Sequence, residues 1–202
     1  VSIIKEHKRI IFNGNGYSDE WVAEAEKRGL PNFRSTVDCV PHYADAKNVA
    51  LLQKFGVLSE KEIKARMEVL LENYAKTINI EALTMIDMTK KKYIPTCIAY
   101  TKELCDAAAV KQSLDICSCV EKELAEKVSS LTKAAYEATE KLEAAVVAAA
   151  AKDDCVLSMA KSYREDVIPV MDDLRAAVDA LEVITPSEKW PVPAYSDIIF
   201  NV

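Results

Sequence analysis

Hydrophobic residues recur at alternating intervals of three and four through the middle of the chain. An apolar position every 3.5 residues is typical of a helix that buries one face against neighbouring helices. The pattern lasts about five heptads, and small alanines fill its second half. We call these positions the heptad seam: Leu114, Cys117, Glu121, Leu124, Val128, Leu131, Ala135, Ala138, Leu142, Ala145 and Ala149. The seam predicts one long helix that neighbouring helices approach closely.

A second helical pattern begins after Ser59, which forms a capping box with Glu62. Its apolar positions are 63, 67, 70, 74, 78, 82 and 85. Pro95 interrupts this pattern, but positions 94, 98, 101, 105 and 108 continue it in phase. Because proline removes a backbone donor and clashes with the preceding turn, we expect a kinked helix rather than two unrelated ones.

A third helical pattern follows Asp153 and Asp154, either of which can cap a helix. Pro169 lies inside the pattern and should bend the helix or delay its start. The residues after Glu188 contain two prolines and no helical period, so the C-terminal tail is predicted to be extended. The apolar positions of the third pattern are Val156, Ala160, Tyr163, Val167, Val170, Leu174, Ala177, Leu181 and Ile184.

Shorter elements are predicted before Ser59. The Asn13–Gly16 run indicates a turn. Its Gly-x-Gly lacks the third glycine and the strand–turn–helix setting of a phosphate-binding loop, so we expect no ligand there. Ser18 is predicted to cap a short helix that Gly29 ends. Residues 30–41 are predicted to form a loop, and residues 43–55 a second short helix.

Composition agrees with long helices. The 202 residues include only four glycines, too few for the turns of a β-sandwich or a β-barrel. The predicted fold is all-α: an antiparallel bundle of three to four long helices, with short N-terminal helices and an extended C-terminal tail. The predicted divisions are residues 1–17, 18–58, 59–185 for the bundle and 186–202 for the tail.

Charge and hydropathy exclude two classes of partner. The net charge of −6 gives no basic excess to displace the counterions of nucleic acid. The longest apolar run, Ala144–Ala151, is too short to span a bilayer. The chain starts without Met and turns polar at once, from which we expect no signal peptide. We therefore expect an excised piece of a longer cytoplasmic protein, with no nucleic acid or membrane partner.

Side chains capable of catalysis or metal binding are few. Of the six cysteines, only Cys117 and Cys119 lie close together in sequence, and no histidine is near them. We expect buried, reduced thiols rather than a zinc site. His42 follows Cys39 by three residues, but a dyad of such local neighbours in a loop is not expected. The other histidine is His7. The sequence thus predicts no catalytic, cofactor-binding or metal-binding residue.

Several long and idiosyncratic strings carry more specific information. They are F-N-G-N-G-Y-S-D-E-W (12–21), A-E-K-R-G-L-P-N (25–32), E-N-Y-A-K-T-I-N-I-E-A-L-T-M-I-D-M (72–88), S-Y-R-E-D-V-I-P-V-M-D-D-L-R (162–175) and W-P-V-P-A-Y-S-D-I-I-F (190–200). Together they resemble the C-terminal region of type III glutamine synthetases, the long bacterial form. The resemblance covers most of residues 5–110 and 160–202, and the Ala-rich helix between them is generic.

The resemblance implies a parent enzyme that joins ammonia to glutamate with ATP and Mg²⁺ or Mn²⁺, and that assembles as a ring oligomer. It places the glutamate, ATP and metal sites upstream, with residues 1–17 at the end of the catalytic region. The chain itself is then a non-catalytic structural or assembly domain, whose partners are its own catalytic domain and neighbouring subunits. The alternative is a protein-interaction module that binds a partner through its heptad seam.

Overall fold

The structure is a computed structural model that describes residues 1–152, 155–193 and 195–200. Every regular element within those ranges is helical, which confirms the predicted all-α class. Asp153 and Asp154, which were expected to offer a helix cap, lie outside the described residues. The chain divides into two compact units, Val1–Met67 and Glu68–Val202.

Short helices form the first unit. Ser18 Oγ accepts the backbone N–H of Trp21 at 3.4 Å, as predicted for a helix cap. Gly29 has a φ of 70°, a left-handed value that glycine adopts without strain, and it follows the end of that helix. The elements are α1 (Ser2–Glu6), a 3₁₀ turn (Lys8–Ile10), α2 (Asp19–Lys27), α3 (Thr36–Cys39), a second 3₁₀ turn (Val40–Ala44), α4 (Ala46–Lys54) and the start of α5 (Glu60–Met88).

Two predictions for this unit are wrong in detail. The expected loop over residues 30–41 contains α3, because Ser35 Oγ accepts the N–H of Asp38 at 3.3 Å and so caps a helical turn. The expected helix over residues 43–55 breaks at Asp45, whose ψ of 137° is extended. A capping side chain decides the structure at Ser35, and an extended backbone conformation decides it at Asp45. Apolar spacing gives little information about either.

Long helices form the second unit. A π-helical turn (Thr89–Tyr93) leads from α5 into α6 (Ile94–Ser113), and α7 (Cys119–Ala150) follows a short turn. The remaining elements are α8 (Val156–Ser162), a second π-helical turn (Tyr163–Val167), α9 (Ile168–Ile184) and α10 (Tyr195–Phe200). Within the described ranges, no helix has both the length and the hydropathy needed to cross a bilayer.

The long helix α7 packs against both α6 and α9. Lys111 near the end of α6 pairs with Glu121 near the start of α7. Lys90, which precedes α6, lies 2.6 Å from Glu143 near the end of α7. These pairs are those of antiparallel neighbours joined by a short turn. The predicted heptad seam is buried between the helices at Val128, Ala135, Leu142 and Ala149, all 0 % exposed.

The first part of the predicted seam is wrong, because it lies outside α7. α6 ends at Ser113, and Asp115 has a φ of 56°. A left-handed residue stops a right-handed helix, so the helical pattern cannot run through this turn. Leu114 and Cys117 are exposed as a result. The seam starts to act as a helix face only after Ser118.

The buried face of α5 also differs from the predicted one. Leu71 and Ala75 are buried, whereas Leu70 is exposed. Val69, Leu70 and Leu71 are consecutive apolar residues, so the sequence does not decide which of them faces the core. Position 63 at the start of the helix and position 82 near its end are buried as predicted.

The prolines at positions 95 and 169 each follow a π-helical turn. The N–H of Ile94 donates to the carbonyl of Thr89, five residues back, instead of the usual four. Ile168 makes the corresponding bond to Tyr163. Each proline then occupies the first turn of the next helix, where its missing N–H is tolerated. The structure confirms that both prolines lie within helical segments, at a local change of helix geometry.

The C-terminal tail is extended only in part. Residues 190–193, which include two prolines, are not helical, but Tyr195–Phe200 forms α10. The prediction of a fully extended tail is therefore wrong after Pro193. Proline disfavours helix at its own position and at the preceding residue, and no later proline prevents a helical turn. Ala194, Asn201 and Val202 of the predicted tail lie outside the described residues.

Candidate functional site

The two residues considered as a catalytic dyad serve other contacts. His42 Nδ1 lies 2.9 Å from Asp45 Oδ2, and the imidazole ring stacks on Phe33 with ring centroids 4.2 Å apart. Among the described residues, no hydrogen bond joins Cys39 to His42. His7 is exposed at the end of α1. The structure therefore does not bring a cysteine nucleophile and a histidine base together here.

The Asn13–Gly16 turn is explained by packing. A Cβ atom on Gly14 would lie 2.7 Å from the ring of Phe12. That ring stacks on Trp21 with centroids 4.3 Å apart. Arg28 holds the same segment by donating a hydrogen bond to the carbonyl of Ile11 at 2.7 Å. The glycine thus allows a close approach between a backbone and an aromatic ring, which needs no bound phosphate.

The prediction of buried thiols is wrong for four of the six cysteines. Cys97 is buried and Cys39 is partly exposed, but Cys105, Cys117, Cys119 and Cys155 are exposed. Burial raises the pKa of the Cys97 thiol, in keeping with a structural role. Cys105 lies on an exposed face of α6, Cys117 lies in the turn before α7, and Cys119 and Cys155 lie at helix starts. Apolar spacing along the sequence did not predict these exposed positions. All six are free thiols.

The side chains of this chain that could bind Mg²⁺ or Mn²⁺ are its carboxylates and two histidines. Such a site needs several carboxylate or imidazole ligands close together. In the ranges that the structure describes, no group of three or more His, Cys, Asp or Glu side chains is placed to hold a metal ion. The described residues therefore do not fit the metal that the resemblance implies for the parent enzyme.

A groove beside Trp190 lies between α5, α9 and the start of the tail. Trp190 stacks on Tyr93 with ring centroids 5.1 Å apart. The indole Nε1 is buried and has no hydrogen-bond partner among the described groups. The groove has a volume of about 370 Å³ and is lined by Met85, Met88, Thr89, Tyr93, Leu174, Arg175, Val178, Asp179, Glu182, Trp190, Val192, Pro193 and Ile198.

The groove has an apolar floor and a charged rim. Burial raises the pKa of Tyr93, and the nearby carboxylates of Glu182 and Asp179 raise it further. The charged groups on the rim are Glu182, Asp179 and Arg175. The groove holds the start of the tail against the helices, because Trp190 and Val192 both pack into the core.

The far end of the tail carries two exposed isoleucines, one of which, Ile198, also borders the groove. Ile198 is 66 % exposed and Ile199 is 65 % exposed on α10. Exposing two adjacent branched apolar side chains to water costs free energy in proportion to their exposed apolar area. Trp190 thus fixes the start of the tail to its own unit, while Ile198 and Ile199 on α10 stay mostly exposed.

A second exposed feature is the turn between α6 and α7. Cys117 and Cys119 lie on either side of Ser118, with their Sγ atoms 2.6 Å apart. The sequence shows the pair, but the prediction placed residue 117 inside a helix and so missed the exposed turn. The signal that could have located this turn is the C-S-C string directly before Glu121, an acidic residue typical of the first turn of a helix. The apolar residues around the pair are also exposed: Val110, Leu114, Ile116 and Val120.

Comparison with known proteins supplies what the geometry alone does not. Residues 1–112 match the family model described as the glutamine synthetase C-terminal domain. The chain belongs to the glutamine synthetase C-terminal domain family. This confirms the resemblance found in the sequence.

The relatives extend the similarity along the whole chain. The chain is 37% identical to a glutamine synthetase of Butyrivibrio fibrisolvens over 206 residues, which cover 97% of this chain and 28% of that protein. It is 34% identical to the type-3 glutamine synthetase of Dictyostelium discoideum, over 96% of this chain and 27% of that protein. It is 29% identical to a glutamine synthetase of Bacteroides fragilis, over 98% of this chain and 28% of that protein.

The chain therefore spans little more than a quarter of the length of these relatives. The similarity includes the Ala-rich α7, which looked generic in the sequence. The comparisons thus describe this chain as a glutamine synthetase C-terminal domain and do not describe it more finely.

Proposed function

We propose that this chain is the non-catalytic assembly domain of a cytoplasmic glutamine synthetase, here called the parent enzyme. The parent enzyme joins ammonia to glutamate with ATP and Mg²⁺ or Mn²⁺, and the domain binds its catalytic region or a neighbouring subunit. The observation that carries this proposal is the exposed apolar pair, Ile198 and Ile199, on a helix that follows the anchored Trp190. Such a surface is typical of a protein contact.

The heptad seam favours this proposal over a module that binds partners through the seam. Val128, Ala135 and Leu142 are fully buried against the helices of their own unit. These seam positions already pack within one unit and are not available to another protein. Exposed apolar residues on α10 and at the α6–α7 turn remain available to a partner.

The donor groups support a non-catalytic role. The described side chains place no set of metal ligands, and a site for Mg²⁺ and ATP requires one. The net charge of −6 also disfavours an ATP anion where no metal offsets it. The proposal therefore assigns the ATP, glutamate and metal sites to the rest of the parent enzyme.

Changing the exposed pair tests the proposal directly. In the parent enzyme, the double variant Ile198→Ser with Ile199→Ser should shift the assembly to smaller species, because the contact loses the burial of two branched side chains, worth about 2 kcal/mol or more. Native mass spectrometry measures the shift. Both residues are exposed, so the fold should keep its helix content, which circular dichroism checks.

The matched control is Val183→Ser in α9. Val183 is exposed like the isoleucines but lies outside α10, so its replacement should leave the assembly unchanged. An assembly of unchanged size and stability in the double variant would contradict the proposal. An equal loss in the control would also contradict it, since the effect would then not belong to α10.

A further inference from the structure

The Cys117–Cys119 pair is placed for chemistry that the assembly role does not use. The two Sγ atoms lie 2.6 Å apart, and a bonded pair would need a separation of about 2.05 Å. Both cysteines are exposed, so a small reagent can reach them without opening the helices. Ser118 between them is buried, which fixes the backbone of the turn.

The surroundings make the two thiols unequal. The two thiols are hydrogen-bonded to each other, and this contact, together with the backbone N–H of Cys119, lowers the pKa of Cys117. Burial and the charge of Glu121 oppose the shift, and the charge of Lys111 supports it. The same contact raises the pKa of Cys119. Cys117 is the thiol that ionises more readily, and Cys119 lies beside it as the second thiol.

We propose that Cys117 and Cys119 form a redox-active dithiol, which closes to a disulfide within the α6–α7 turn by exchange with small-molecule disulfides. The site needs no partner chain and no movement of the long helices. It is independent of the proposed assembly role, since the exchange can be measured on this chain alone.

The reaction balances in two exchange steps. The Cys117 thiolate attacks one sulfur of the small disulfide, a mixed disulfide forms, and one small thiolate leaves. Cys119 then loses its proton to water and attacks Cys117 Sγ, so that the Cys117–Cys119 bond forms and the second small thiolate leaves. The two cysteines lose two electrons and two protons in total, and the small disulfide is reduced to two thiols. An excess of small thiol reverses both steps.

The chain contains matched controls for this reaction. Cys105 and Cys155 are exposed single thiols, and no second sulfur is hydrogen-bonded to either among the described residues. The small disulfide should leave these cysteines with a stable adduct. The pair should instead end with a bond between its own two sulfurs, because Cys119 displaces the adduct on Cys117.

Oxidised glutathione is the probe. The reduced 202-residue chain is incubated with it under native conditions, quenched with acid and digested, and the peptide that contains both cysteines is weighed. We expect that peptide to lose the mass of two hydrogen atoms and to carry no glutathione, whereas the peptides with Cys105 or Cys155 gain glutathione. In Cys117→Ser the loss should disappear, and Cys119 should keep any glutathione that it gains.

Three results would overturn the proposal. The first is a stable glutathione adduct on either cysteine of the wild-type pair. The second is a pair that stays reduced while Cys105 is modified. The third is a cross-link that joins Cys117 or Cys119 of the wild-type chain to another cysteine, since the pair would then not close on itself. The Cys117→Ser substitution is on the exposed turn, so helix content by circular dichroism should match the wild type.

Discussion

Replacing Leu142 with Ala is expected to lower the free energy of unfolding by about 3 kcal/mol, within the range observed for buried leucines. Leu142 lies in the second half of the heptad seam and is completely buried among residues from α5, α6, α7 and α9. The seam around it is built from alanines, which cannot move inward to fill the space. The cavity should therefore persist, and its cost adds to the lost transfer of the side chain. Urea unfolding of the 202-residue chain, followed by circular dichroism, measures the change.

The same substitution at Leu83 is the matched control. Leu83 is in α5 and is 49 % exposed, so its truncation leaves no closed cavity. We expect Leu83→Ala to change the free energy of unfolding by less than about 1 kcal/mol. If the two variants lose the same stability, the packing of α7 at the centre of the second unit is contradicted.

The second large effect is expected at Trp190. Replacing it with Ala should lower the free energy of unfolding by roughly 3 kcal/mol or more, because a buried aromatic side chain is lost from a packed surface. Trp190 stacks on Tyr93 and joins the tail to the core. Its loss removes the floor of the groove and frees the start of the tail. Urea unfolding measures the stability, and protease sensitivity after position 186 reports on the tail.

Trp190→Phe separates the ring from its polar group. Phenylalanine keeps a stacking partner for Tyr93 and removes the indole N–H, which is buried without a partner among the described groups. An unpaired buried donor already costs free energy, so its removal offsets part of the lost volume. We expect the Phe variant to be clearly more stable than the Ala variant. Equal losses in both would show that the aromatic stack contributes little.

Apolar periodicity predicted the interior of α7 and α9 well. Val128, Leu142 and Leu181 are fully buried as predicted, because a long helix in contact with neighbours on one side has a strict period. The same rule failed where the backbone leaves the helix. The left-handed φ of Asp115 separates α6 from α7 and so removes the first positions of the predicted seam from the helix, and no apolar spacing carries that information.

The candidate sites were harder to predict than the helices. The Trp190 groove joins residues from α5, α9 and the tail, and the sequence gives no register between those segments. The Cys117–Cys119 pair was visible in the sequence, but its exposure depends on where α6 ends. By contrast, the long strings around Trp21 and Trp190 pointed to the family directly, and the comparisons confirm it.

The most direct measurement removes residues 18–202 from the parent enzyme and determines the mass of its assembly together with its glutamine-forming activity. This deletion removes α10 with its exposed Ile198 and Ile199. The surface that α10 is proposed to contact in the parent enzyme then loses its partner. We expect smaller assemblies with reduced activity, although the proposed ATP and metal sites are still present. An assembly of full size with full activity would contradict the assembly role.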